Sequence, residues 1–151
     1  MRIRIVMELP ADAASVPLVR RTVAEAMRSA GVARECVEEA EVALSEACTN
    51  VYHHAGTDDH YEVGVELDSD QLTMDILDTG EGVAEHHRNA TMPDGSAENG
   101  RGLALMAAFS DQVVFDSVLS TGGGVHLMKR LRWEADRGPR AATPGRSSPS
   151  I

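Results

Sequence analysis

Between Arg34 and Ala55, the apolar residues Val37, Leu44, Cys48, Val51 and Ala55 recur at helical spacing. At about 100° per residue they share one stripe. The resulting helix is long for a small domain. Glu46 and Asn50 lie four residues apart within it, about 40° from each other and on roughly the opposite side. A carboxylate and a carboxamide one turn apart suit a metal-phosphate site, whereas a solvated polar face is the plainer reading. Partners elsewhere in the chain must decide between them.

Before this helix, residues 2 to 8 alternate, with Ile3, Ile5 and Met7 on one side and Arg2, Arg4 and Val6 on the other, which predicts a strand ended by Pro10. Ser15 offers an N-cap, and Val16, Val19, Val23, Met27 and Ala30 form the stripe of a helix closed by Gly31. After it, Tyr61 to Leu67 alternates cleanly. Asp68-Ser69-Asp70 makes a hairpin turn, and Gln71 to Leu77 places Leu72, Met74 and Ile76 on one face before running into Asp78-Thr79-Gly80-Glu81-Gly82. Residues 84 to 99 are polar, contain Pro93 and Gly95 and hold no period, so they predict a loop. Gly100-Arg101-Gly102 then opens a short apolar helix ending at Phe109, and 112 to 118 and 124 to 132 read as strands. This order predicts an α/β two-layer sandwich, a mixed, mainly antiparallel sheet covered on one face by helices. Residues 1 to 132 form the expected domain, and residues 133 to 151, rich in Arg, Pro, Ser, Ala and Gly, an expected disordered tail.

A chain of 151 residues with 42% hydrophobic side chains supports one core. Its formal charge of -10 opposes a phosphate backbone, and no basic stripe with interleaved aromatics offsets it, so nucleic acid is not an expected partner. An anionic nucleotide needs local help from helix N-termini, a cation or a few basic groups. Cys36 and Cys48 stand twelve positions apart on one helix, too far for a disulfide, and read as core residues in a reducing compartment. No apolar run approaches the roughly 18 residues of a membrane span. The expectation is a soluble, cytoplasmic protein. His60, His86, His87 and His126 lack zinc spacing, and most of Glu35, Glu38, Glu39 and Glu41 are expected to be solvated.

Three separated pieces now stand together: "ALSEACTN" on the long helix, "DTGEG" after a strand, and "NGRGL" opening a helix. In order and context they resemble the N, G1 and G2 boxes of the GHKL ATP-binding family, whose Bergerat-type fold is such a sandwich. Within it, the short chain looks like the anti-sigma-factor serine/threonine kinases. The resemblance implies ATP and Mg²⁺ as ligands. It puts the metal ligand on Asn50, the general base on Glu46 and the adenine reader on Asp78. It also implies close backbone approach at Gly80 and Gly82, phosphate contact from Gly100, Arg101 and Gly102, and a threonine near the adenine at Thr121. His54, one turn beyond Asn50, stands between phosphate contact and an ordinary partner of the helix dipole.

The same resemblance implies phosphorylation of a serine on an anti-anti-sigma partner, sequestration of a sigma factor and a homodimer. A contrasting expectation is a binding module in which ATP switches a protein partner without phosphoryl transfer. A histidine kinase is disfavoured, since no phosphoacceptor helix stands before the first strand. A transducer-coupled ATPase is also disfavoured for want of residues after Arg132.

Overall fold

The computed structural model describes residues 1–54, 60–78, 97–116 and 124–135; of Tyr52, His54, Asp116 and residues 97–100 only the backbone is described. The elements are β1 (Ile3–Pro10), α1 (Ser15–Ala30), α2 (Arg34–His54), β2 (His60–Leu67), β3 (Gln71–Asp78), α3 (Ala97–Phe109), β4 (Gln112–Asp116) and β5 (Gly124–Arg130). The strands form one sheet in the order β1-β2-β3-β5-β4. Every neighbouring pair is antiparallel, in keeping with the mainly antiparallel sheet expected. Two antiparallel steps make β4 run in the direction of β3, as a crossover through a helix requires, but the hairpin places β5 between them.

Alternation determines which face is buried. Val63, Val65 and Leu67 of β2, Leu72, Met74 and Ile76 of β3, and Val125 and Leu127 of β5 all point into the helix side. On β1, Ile3, Ile5 and Met7 are half-buried while Arg4 and Val6 are exposed, the split that the pattern predicts. The opposite sheet face carries Gly64, Asp75 and His126 in one row, with His126 Nδ1 2.5 Å from Asp75 Oδ1.

The first helix ends as expected. Gly31 adopts φ 95° and its N–H donates to Arg28 O, while Val32 N–H donates to Met27 O, the paired bonds of a Schellman stop. Its start differs from the expectation. Ser15 is the first helical residue and not a cap; Asp12 Oδ1 accepts the Ser15 N–H at 2.9 Å, while Ser15 Oγ donates to Asp12 O and lies 2.5 Å from the Tyr61 hydroxyl. The serine is buried by a strand residue that local sequence does not reveal.

The last described residues form a strap. Leu131 N–H donates to Asp70 O, Ala33 N–H to Arg132 O and Glu134 N–H to Gly31 O, and Trp133 Nε1 donates to Ser69 O at 3.0 Å. Trp133 and Glu134 therefore belong to the packed body. The tail from Asp136 onward lies outside the described residues. Among the described residues, no helix is long and apolar enough to cross a membrane.

Candidate functional site

The long helix α2 buries Cys36, Val37, Ala40, Ala43, Leu44, Ala47, Cys48 and Val51, a broader face than one stripe. It packs against α1 on one side, α3 on the other, and β3 and β5 beneath. Alanines at 40, 43 and 47 let those neighbours approach closely. Glu46 and Asn50 are consequently half-buried, so the polar face is not simply solvated.

Gly102 of α3 meets Glu46 directly. A Cβ built on this buried glycine would lie 2.9 Å from Glu46 Oε2. The first and third sequence boxes thus touch, and only a missing side chain leaves the carboxylate its present position. Helix α3 begins at Ala97, earlier than expected, and Ala97 and Glu98 are residues of high helix propensity. Gly100, Arg101 and Gly102 are therefore helical residues and not the approach to a helix. Gly102 lies beyond the first four residues, whose N–H groups the helix leaves over, and the space a side chain would fill there is taken by Glu46. Arg101 is exposed.

Asp78 closes β3 on the helix-facing side and is only 6% exposed, with Tyr61 as its cross-strand partner. The Tyr61 hydroxyl lies beside the Cys48 thiol as well as Ser15, so Asp78 is joined through Tyr61 to the turn of α2 that carries Glu46 and Asn50. Burial pushes the Tyr61 hydroxyl up to about 12, against the hydrogen bond it shares with Ser15, which lowers it. Burial likewise pushes the Cys48 thiol up to about 12. Both stay protonated near neutrality, and Cys48 is a packing group and not a nucleophile.

Gly102 thus meets Glu46, Asn50 stands one turn further along α2, and Asp78 reaches the same helix through Tyr61 and Cys48. His54 ends α2, but its side chain lies outside what is described; Gly80, Gly82 and Thr121 are outside the described residues altogether. Glu39 departs from the expectation of solvation. Its Oε2 lies 2.5 Å from Lys129 Nζ and 3.1 Å from an Arg132 guanidinium nitrogen. The hydrogen bond from Lys129, with that from Arg132, holds the Glu39 carboxyl below its ordinary range. The sequence signals half of this pair: Lys129 occupies the inward parity of Val125 and Leu127, where a charge needs a partner, but nothing in the pattern names Glu39.

A half-buried carboxylate beside a carboxamide, a glycine that clears space against it and a buried aspartate at a strand end stand on a two-layer α/β domain of five antiparallel strands and three helices. The chain belongs to the histidine kinase-like ATPase domain family, whose model matches residues 9–133. It is similar to the serine-protein kinase RsbW of Bacillus thuringiensis (strain Al Hakam), 29% identical over 120 residues covering 73% of this chain and 75% of that protein. RsbW of Bacillus anthracis is similar to the same extent. Among solved structures, the RsbU and RsbW domains of a Mycobacterium tuberculosis protein share the fold, with a TM-score of 0.65 and 19% identity over 85% of this chain. This chain covers 32% of that longer one.

Proposed function

We propose that this chain is a cytoplasmic, ATP-dependent serine/threonine protein kinase that acts as an anti-sigma factor and phosphorylates a small anti-anti-sigma protein. The contact between Glu46 and Gly102 carries the reading, because it joins a possible proton acceptor to the helix proposed to meet the phosphates. The similarity to proteins named serine-protein kinase RsbW supports the reaction type. A homodimer and a bound sigma factor complete the proposal.

Asn50 would hold Mg²⁺ through its amide oxygen, and Asp78 would accept the adenine amino group, which guanine replaces with an oxygen. Gly80, Gly82 and Thr121 are assigned to the nucleotide, and Gly100, Arg101 and His54 to its phosphates. When bound, Mg·ATP supplies the γ-phosphoryl group and a cation that neutralises its charge. Glu46 accepts the proton of the partner's serine hydroxyl, one helical turn from the metal ligand. Incubation with labelled ATP, Mg²⁺ and candidate partner proteins tests this: transfer is expected, and Glu46→Ala should abolish it while retaining ATP binding. Label transfer undiminished in that variant would remove Glu46 from the mechanism. Tight ATP binding without transfer in the wild type would favour the conformational binding module.

A further inference from the structure

Lys129 lies on β5 with only 5% of its surface exposed, in a position whose parity otherwise carries Val125 and Leu127. A buried ammonium is costly unless its donors are satisfied. Here Nζ bonds to Glu39 Oε2 on α2 and, at 3.0 Å, to the carbonyl oxygen of Phe109, the last residue of α3. One cation therefore joins a strand and two helices, and it does so at the helix C-terminus where the carbonyls carry partial negative charge.

The spacing of these contacts matters. Glu39 precedes Glu46 by seven residues on α2, and Gly102 precedes Phe109 by seven on α3. Seven residues turn a helix through about 700°, within about 20° of two full turns, and advance it about 10.5 Å. Glu39 and Glu46 thus share the α2 face toward α3, and the two helices run antiparallel, with Glu39 opposite the end of α3 and Glu46 against Gly102 near its start. Met106, buried between these points, fills the interval. Beyond Phe109, Asp111 N–H donates to Met128 O at 2.8 Å and Asp111 Oδ2 accepts Arg130 N–H at 2.7 Å, so the same end of α3 is also tied to β5.

We infer that Lys129 is a positioning residue: by clamping the C-terminal carbonyl of α3 to Glu39, it sets the register of α3 along α2 and so holds Gly102 against Glu46. This rests on the reading of Glu46 as the transfer base. A sliding α3 would alter the space beside the carboxylate although the clamp itself touches no reacting atom. Arg132 shares Glu39 from the exposed side and supports the carboxylate without reaching α3 in the contacts described.

The test compares the full chain with Lys129→Met/Glu39→Leu, which removes both charges and keeps apolar bulk, and with Lys129→Arg and Glu39→Gln. Replacing a buried pair by apolar groups is often neutral for stability, so the double variant is expected to keep its urea midpoint. Its α3 amides from Leu103 to Phe109 should nevertheless exchange at least about tenfold faster. Its single-turnover transfer should fall on the order of 100-fold with partner KM little changed, and Lys129→Arg should recover part of it. Lys129→Met, which removes the bond to Phe109 O and leaves Glu39 paired with Arg132, supplies the same exchange comparison where the double variant does not fold. Wild-type exchange in α3 of a folded, clampless variant overturns the proposal. A wild-type chain that neither binds ATP nor transfers phosphate overturns the functional reading instead, and amide exchange still decides the clamp.

Discussion

The space above Gly102 separates packing from chemistry at a single position. Alanine there gains roughly 1 kcal/mol of helix propensity, and its Cβ displaces only the flexible end of Glu46. Gly102→Ala should therefore keep the urea midpoint within about 1 kcal/mol of wild type, while phosphoryl transfer falls at least about tenfold. Unchanged transfer would show that the carboxylate need not sit where it does. Gly124 differs, since a Cβ would lie 2.7 Å from Leu77 Cδ2 and 3.2 Å from Ile76 O, which is backbone. Gly124→Ala is expected to lose about 1–3 kcal/mol in urea. The residue types of the site were legible because Glu46, Asn50 and Asp78 fall within short patterned boxes. The partnership of Lys129 with Glu39 was not, because ninety positions separate them and only the sheet brings them together.

At the scale of elements, periodicity located β1, α1, α2, β2 and β3, which bury one face against the same core, while α3, β4 and β5 were legible as apolar runs between glycines, and β4 leaves Val114 and Phe115 exposed. It did worse at boundaries set by tertiary contact. Pro10 remains in β1 because an edge strand tolerates a residue without N–H, and α3 begins at Ala97, three residues before the glycines that sequence pattern takes as its start. The α1 stop gives a direct check: Gly31→Ala forces a side chain into φ 95° and should cost about 1–2 kcal/mol, read as a shift in urea midpoint with unchanged slope. The tie between α2 and β5 adds a pH dependence. Glu39 has a lower pKa folded than its ordinary 4.5, so its stabilising contribution is present above pH 4.5 and is lost as pH falls through the folded value. Urea titrations below pH 4.5 should show a smaller acid loss in Glu39→Gln than in wild type; equal losses would remove this pair as a source.

For the whole molecule, a ligand that binds only the folded state raises stability by about 2.7 kcal/mol at a hundred times its dissociation constant. Mg·ATP is expected to raise the melting temperature where Mg·GTP does not, and Asp78→Asn should lose this difference. Equal shifts with both nucleotides would exclude Asp78 as the base reader. The buried thiol and phenol set the alkaline limit. Stability should hold up to about pH 9, the ordinary value of a thiol, and fall as pH rises toward 12, with a shallower fall in Cys48→Ala.

The strap formed by residues 131 to 134 also decides how the domain can be mounted. Ile3 pairs with Leu67, and Leu131 bonds to Asp70, so both ends of the described body emerge beside the β2–β3 hairpin, while Asp78 marks the far end of the same strand. A bead or a surface attached ahead of β1 is carried at the pole away from Asp78. Immobilisation through the N-terminus should leave nucleotide access as it is in solution.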